Sequence, residues 1–245
     1  MARHFLEVND VATIPTRDFQ LTQRAVRDIV GRQAMGAVTG DAGLGKTLSV
    51  EFATNKLQNI QVVWVQFPRK VSMKDGVAGL LDEITGIPNE DTLRRLGLRL
   101  REVLRAERRL IVVDEAQHLN TDTIEYIRYL WDDPDTQFAV LFVGGDDCWD
   151  VLSREPMLRS RIWRHVEFKR LPQAVVLNFV PKYHAIYERA STKNILLIND
   201  RFARGNFRMW AQFTIDAGTL CTELRRDTVD EEISRNVFAL HASAT

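Results

Sequence analysis

A glycine-rich stretch near position 40 has residue types and a spacing suited to holding phosphate groups. It reads Gly40-Asp41-Ala42-Gly43-Leu44-Gly45-Lys46-Thr47, which is the pattern G-x-x-x-x-G-K-T. A loop that wraps a phosphate turns its backbone N–H groups inward, so it needs glycine where a Cβ would collide or φ must be positive. Lys46 would reach the β and γ phosphates of a nucleotide, and the Thr47 hydroxyl would ligate Mg²⁺. Leu48, in the helix whose N-terminal dipole favours anions, completes the candidate nucleotide-binding residues.

Two consecutive carboxylates, Asp114 and Glu115, follow the apolar run 110–113. Such a run predicts a strand buried on both faces, and carboxylates at its end are costly unless they serve a cation or a reaction. Asp114 would hold Mg²⁺ beside Thr47, and Glu115 would polarise the water that attacks the γ-phosphate. The alternative is a strand end that meets solvent with two acids of no special role. The combination predicts ATP or ADP and Mg²⁺ as cofactors, with ATP hydrolysis as the reaction.

The elements around these residues have the order of an α/β nucleotide-binding domain. Strands are predicted over 35–39, 62–67, 110–113, 138–143 and 165–168, with helices between them. Five strands with intervening helices predict a three-layer fold with a largely parallel sheet. Ligands of such folds bind at the carboxyl ends of the strands. Asp146, which follows the fourth strand, is therefore included among the nucleotide-binding candidates.

Three segments are predicted along the chain. Residues 1–17 suggest an extended arm, because Pro15 and scattered apolar residues show no period. Residues 18–170 would form the α/β domain. Leu171-Pro172 marks a boundary, after which only helical patterns follow, over 173–190, 195–204, 206–223 and 229–240. Residues 171–245 would thus form a small, all-helical lid.

Composition narrows the choice of partners and compartment. The 33 Lys and Arg residues balance 33 Asp and Glu residues, so the formal net charge is zero. The overall charge therefore does not indicate a nucleic acid or a membrane as the partner. Two cysteines are too few for a disulfide framework. The first residues lack the apolar run of a signal peptide, and no run is long enough to span a bilayer. We expect a cytoplasmic protein without a membrane partner.

Beyond the phosphate-binding loop, three further stretches resemble AAA+ ATPases over about residues 15–240. They are Asp114-Glu115-Ala116-Gln117-His118-Leu119, Leu158-Arg159-Ser160-Arg161-Ile162 and Gly205-Asn206-Phe207-Arg208. Together they are similar to transposition-regulator ATPases of the MuB, TnsC and TniB type. The resemblance implies that Arg161 is an arginine finger reaching a neighbouring subunit's γ-phosphate, with Arg159 as the alternative. It also implies that Arg208 touches nucleotide in its own subunit. The alternative for these arginines is pairing with surface acids.

The same resemblance implies what the chain acts on. Such proteins bind double-stranded DNA non-specifically as ATP-dependent rings or filaments, with nucleotide at the subunit interfaces, and recruit a transposase. Phosphate contacts need only clustered cations. The candidates for them are Lys70, Lys74, Arg94, Arg95 and Arg99. An amphipathic helix with a solvated arginine face is the alternative interpretation of the last three.

One stretch departs from the AAA+ pattern. These proteins usually carry a polar sensor residue at the end of the fourth strand, where this chain has Gly144-Gly145, and Asp146 is the nearest polar candidate. His118 could orient Glu115, although a histidine satisfied at a helix start is an equal alternative. Two other functions stay open: an ATPase of the ExeA-like type or another AAA+ ATPase without a nucleic-acid role, and a nucleotide-gated scaffold that binds rather than catalyses.

Overall fold

A five-stranded, all-parallel sheet lies at the centre of the α/β unit in the computed structural model, which describes residues 12–69 and 71–242. The strands are β1 (Met35–Gly40), β2 (Gln61–Gln66), β3 (Arg109–Asp114), β4 (Phe138–Val143) and β5 (Ile162–Phe168). Their order across the sheet is β2-β3-β4-β1-β5. With flanking helices and a helical C-terminal region, this arrangement confirms the predicted fold class.

Burial follows the position of each strand in the sheet. Every residue of β1 and β4 is buried, as expected for interior parallel strands covered on both faces. The edge strand β5 instead alternates in burial along its length. The apolar pattern therefore marked only its second half, 165–168, whereas the strand begins at Ile162. The recognisable apolar stretch was short because an edge strand buries fewer of its side chains than an interior strand does.

Within the described residues this unit has seven α-helices, of which α1 precedes β1 and the other six lie between successive strands. They are α1 (Arg17–Arg32), α2 (Lys46–Thr54), α3 (Met73–Thr85), α4 (Leu93–Ala106), α5 (Thr121–Asp132), α6 (Cys148–Ser153) and α7 (Pro156–Arg159). The Asn120 side chain accepts the Thr123 backbone N–H at 2.8 Å and so caps α5, as the sequence predicted. In α4, Leu96, Leu100 and Leu104 form a fully buried stripe at intervals of four residues. The opposite face of α4 therefore carries its polar residues.

The second compact unit contains residues 12–16, 43–45 and 169–242 of the described chain. Its helices are α8 (Gln173–Tyr183), α9 (Thr192–Ile198), α10 (Phe207–Glu223) and α11 (Glu231–Ala242), with a 3₁₀ turn at Ala185–Tyr187 and a π-helical segment at Asn199–Ala203. The continuous helix expected over 173–190 is wrong, because the backbone of His184 is extended and ends α8. Tyr187, Trp210 and Phe213 lie fully buried in the core of this unit.

Residues 1–11 of the predicted arm lie outside the described residues, and Arg17 already begins α1. Across 12–69 and 71–242, none of the helices combines the length and the apolar character that crossing a bilayer requires.

Candidate nucleotide-binding site

The glycine-rich loop joins the end of a buried strand to the start of a helix. β1 ends at Gly40 and α2 begins at Lys46, which is the strand, loop and helix order that the sequence predicts. At Gly40 φ is +133°, and a Cβ there would overlap the carbonyl oxygen of Phe168 on the neighbouring strand β5. Only glycine satisfies both conditions, so the entry of the loop is set by its residue type.

The Lys46 side chain is buried within this loop. Its Nζ donates hydrogen bonds to the Gly40 carbonyl oxygen at 2.6 Å and to the Asp41 carbonyl oxygen at 2.8 Å. Burial lowers the pKa of Lys46, although nearby carboxylates oppose the shift. The backbone of the loop therefore supplies the hydrogen-bond acceptors of the Lys46 ammonium.

The two consecutive acids lie at the carboxyl end of β3. Burial raises the pKa of Asp114, and the Glu115 backbone N–H donates to Asp114 Oδ1 at 2.9 Å. Glu115 itself has a left-handed backbone, with φ of 51° and ψ of 42°. For a residue with a Cβ such a conformation costs roughly 1–3 kcal/mol and tends to occur at functional sites.

Four acids at the strand ends lie close enough to the Lys46 ammonium for their charges to raise its pKa. The carboxylates whose charges act on the Lys46 ammonium are Glu115, Asp146, Asp114 and Asp41, in decreasing order of effect. Asp146 shares a side-chain hydrogen bond with Asp41, which raises its pKa. Residues from the ends of β1, β3 and β4 thereby meet at one edge of the sheet, where α/β folds bind their ligands.

The donor set fits a nucleotide with its Mg²⁺. Mg²⁺ takes oxygen ligands, and it is usually held by one or two carboxylates together with phosphate oxygens and water rather than by an all-protein cage. Thr47 and Asp114 supply a hydroxyl and a carboxylate of this kind. Residues 12–69 and 71–242 contain no cluster of three or more His, Cys, Asp or Glu side chains able to hold a metal alone. Leu48, in the first turn of α2, has an exposed side chain, so any contribution to anion binding would come from its backbone.

The polar neighbour of Glu115 is a residue that the sequence did not single out. Gln117, in the 3₁₀ turn Ala116–His118, donates from Nε2 to Glu115 Oε2. His118, considered for this role, instead accepts the Nε–H of Arg69 at 3.2 Å. The pair of glycines at 144–145, noted in the sequence, leaves the end of β4 without a polar side chain and was the signal that could have pointed to Gln117.

The two candidate finger arginines have different surroundings. The Arg161 guanidinium is paired with Asp132 at the end of α5 and also donates to the Met157 carbonyl oxygen at 2.8 Å. The Arg159 side chain is exposed at the end of α7, and it forms no ion pair with any residue in the described part of the chain. Neither arginine is among the groups that surround Lys46.

Arg208 lies in the second unit, together with the tip of the loop. Its backbone N–H donates to the Gly43 carbonyl oxygen at 3.0 Å, and a Cβ on Gly43 would lie 2.5 Å from Asn206 Oδ1. Asn206 Oδ1 also caps α10 by accepting the backbone N–H groups of Arg208 and Met209. The Gly-Asn-Phe-Arg stretch is therefore a helix start that packs on Gly43–Gly45, and Gly45 lies against Phe207.

The candidate DNA-binding cations lie on two helices that pack together. Lys74 is exposed in α3, whereas Arg94, Arg95 and Arg99 are exposed on the polar face of α4. Arg95 lies 3.5 Å from Asp91, which is a weak surface pair. Lys70 lies outside the described residues.

A family of known proteins matches the core of the chain. The model of the family described as "AAA domain" matches residues 27–152, which contain the glycine-rich loop, Asp114, Glu115 and Asp146. No curated protein matches the sequence.

Solved structures share the fold at low sequence identity. Cdc6p from Pyrobaculum aerophilum is 17% identical with a TM-score of 0.70, over 91% of this chain and 66% of that protein. The RuvB Holliday junction branch migration motor of Thermotoga maritima is 18% identical with a TM-score of 0.64, over 91% of this chain and 68% of RuvB. The ORC1 protein of Aeropyrum pernix, solved in complex with DNA, is 15% identical with a TM-score of 0.66, over 93% and 65% of the two chains. The chain thus spans slightly less than two thirds of the Pyrobaculum protein, and the likeness concerns the fold alone.

Proposed function

Because the chain belongs to the AAA domain family, we propose that it is a Mg²⁺-dependent ATP hydrolase with its nucleotide site at the carboxyl ends of β1, β3 and β4. The observation that carries this proposal is the buried Lys46 ammonium, whose charge neighbours are the carboxylates Glu115, Asp146, Asp114 and Asp41. A buried cation beside acids at strand ends is suited to a phosphate chain and its metal ion. On an ordinary surface, by contrast, a lysine keeps its ammonium in water.

Each residue would have one role in the reaction. Lys46 would exchange its two carbonyl partners for phosphate oxygens, and Thr47 and Asp114 would hold Mg²⁺, which neutralises charge on the phosphates when bound. Glu115 would orient and polarise the attacking water. Arg208 would contact the nucleotide from the start of α10. A guanidinium from a second copy, Arg161 or Arg159, would stabilise the charge on the transferring phosphoryl group.

ATP turnover by the purified protein tests this assignment. Glu115→Gln should abolish turnover and keep ATP binding, because the amide preserves the shape of the side chain but cannot polarise water. Glu83→Gln, an exposed acid of α3, is the matched control and should leave turnover unchanged. If Glu115→Gln retains turnover, the site assignment is wrong.

We further propose that the protein binds double-stranded DNA without sequence preference and assembles on it as a homo-oligomer with nucleotide at the subunit interfaces. Two observations support the DNA partner: the exposed cations Lys74, Arg94, Arg95 and Arg99, and a fold shared with an ORC1 protein solved in complex with DNA. An arginine finger supplied by a neighbour would make hydrolysis depend on this assembly.

The proposed biological role is the regulation of a transposase in DNA transposition. The support for it is the stretch 114–119 together with the Ser160-Arg161 and Gly205-to-Arg208 stretches, which resemble transposition regulators of the MuB, TnsC and TniB type. Negative-stain microscopy with double-stranded DNA and ATP, or a slowly hydrolysed analogue, tests the assembly step. Nucleotide-dependent rings or filaments are the expected result. A protein that ignores DNA at low salt would favour an ATPase with another partner, such as the ExeA-like type.

A further inference from the structure

One side-chain amide bridges the ends of β3 and β4. Gln117 Nε2 donates to Glu115 Oε2, while Gln117 Oε1 accepts the backbone N–H of Gly145 at 3.0 Å. The bridge thus runs from the acid after β3 to the backbone after β4, within one compact unit.

The partners fix which way this amide points. A carboxylate only accepts hydrogen bonds and a backbone N–H only donates them, so the oxygen of Gln117 must face Gly145 and its nitrogen must face Glu115. A glutamate at position 117 could still accept from Gly145 but would set a second carboxylate against Glu115. An asparagine is one methylene shorter and could not reach both partners. Glutamine is therefore suited to this position in both length and polarity.

The end of β4 makes room for the amide. A Cβ on Gly144 would overlap Gln117 Oε1 and lie 2.5 Å from Cys148 Sγ, whereas a Cβ on Gly145 would lie 3.6 Å from Gln117 Nε2. Position 144 is thus restricted to glycine by what packs against it. The space that a polar side chain of β4 would take is filled by an amide that comes from the turn after β3.

We propose that Gln117 is a positioning residue for the proposed ATP hydrolysis, on which this inference rests. Its amide holds Oε2 of Glu115 and ties it to the end of β4, which leaves Oε1 of Glu115 to face the attacking water. The left-handed backbone of Glu115 needs such support, since a strained residue keeps its conformation only where its surroundings determine it. The polar group expected at the end of the fourth strand is therefore supplied by a residue of the neighbouring turn.

Two variants separate the two arms of the bridge. Gln117→Met keeps the length and removes both hydrogen bonds, whereas Gln117→Glu keeps an acceptor for Gly145 and loses the donor to Glu115. His118→Ala is the matched control, because His118 lies in the same turn but contacts Arg69. The readouts are kcat, KM for ATP, ATP affinity, Tm, and the hydrogen–deuterium exchange of the Gly145 amide in the nucleotide-free protein.

We expect Gln117→Met to lower kcat about tenfold or more, because Glu115 loses the hydrogen bond that orients its carboxylate, with KM and ATP affinity nearly unchanged. Exchange at Gly145 should become faster in this variant. Gln117→Glu should lose kcat at least as strongly while Gly145 keeps its protection. His118→Ala should change neither quantity.

The results can overturn this inference independently of the proposed function. Wild-type turnover that survives Gln117→Met, or rises in it, would refute the positioning role while leaving the ATPase assignment intact. A parallel loss of Tm and ATP affinity would show a merely structural residue and would also refute it. If the wild type has no turnover, the proposed function fails and the positioning role fails with it. The exchange rate of Gly145 then still decides whether the bridge exists.

Discussion

Arg161 Nε lies 2.7 Å from Asp132 Oδ1, so the guanidinium proposed to act on a neighbouring subunit is paired within its own chain. Asp132 also binds Arg128, which in turn pairs with Glu125. Arg161 therefore belongs to a chain of charges along α5, and reaching a phosphate would require it to leave Asp132. Arg159, two residues earlier, is exposed and has no ion pair within the described residues to break.

Complementation between inactive variants distinguishes the two arginines. If Arg161 is the finger, Arg161→Ala should lower DNA-stimulated turnover by about 10³-fold, because the phosphoryl charge loses its partner. Mixing it with Glu115→Gln should restore part of the turnover, since the second variant supplies Arg161 to a site with an intact Glu115. Arg159→Ala is the control and should remain active alone. The reverse pattern would assign the finger to Arg159, and an active Arg161→Ala would exclude Arg161.

Asp114→Asn should stabilise the nucleotide-free protein at neutral pH. Burial holds the pKa of Asp114 above its ordinary value of 3.8, so between pH 3.8 and the raised pKa the folded state keeps a proton that the unfolded state has lost. Stability then falls as pH rises from 3.8 through the raised pKa, and asparagine avoids that loss. Thermal unfolding should show a small rise in Tm for the variant above this window, and the difference should vanish as the pH approaches 3.8.

The exposed aspartate Asp227 gives the control for that measurement. Asp227→Asn should leave the Tm at neutral pH nearly unchanged, because this side chain is exposed. An Asp114→Asn protein that is less stable than the wild type at neutral pH would show that the favourable interactions of the ionised carboxylate, with the Glu115 N–H and with Lys46, outweigh the burial of its charge.

The arginines of α4 should contribute to DNA affinity in a salt-dependent manner. Replacing Arg94, Arg95 and Arg99 with alanine should weaken binding to duplexes of any sequence and flatten the plot of log affinity against log salt by about one unit per lost phosphate contact. Fluorescence anisotropy over a salt series measures both quantities. A triple variant of exposed arginines in the second unit, Arg189, Arg201 and Arg225, should behave as the wild type. Equal losses in both triple variants would exclude α4 as a specific surface.

Much of the α/β unit could be predicted because its signals are local. β4 is a continuous apolar run, and the Asn120 cap precedes an apolar helix, so both appear directly in the sequence. The start of β5 was missed because an edge strand leaves alternate residues such as Trp163 exposed. The end of α8 was missed because the pattern of apolar residues continues past His184 while the backbone does not.

In the candidate site, too, the local motifs could be predicted from the sequence and the contacts between distant residues could not. The glycine-rich loop and the consecutive acids are short motifs whose chemistry follows from residue type alone. The contact between Gln117 and Gly145 joins residues 28 positions apart, and the contact between Arg161 and Asp132 joins residues 29 positions apart. Only the fold can reveal such contacts. His118 and Gln117 are neighbours with similar hydrogen-bonding capacity, and the 3₁₀ turn alone decides which one faces Glu115.

The two carbonyl partners of Lys46 make anion recognition an exchange of acceptors rather than a gain of them. Lys46 Nζ already donates to the carbonyl oxygens of Gly40 and Asp41, so a ligand must offer something better than a neutral oxygen. Hydrogen bonds to ionised acceptors are roughly twice as strong as neutral ones, and phosphate provides that advantage. An uncharged nucleoside gives the lysine nothing that its own backbone does not supply. If the loop binds nucleotide as proposed, it would therefore select its ligand by charge before it selects by shape.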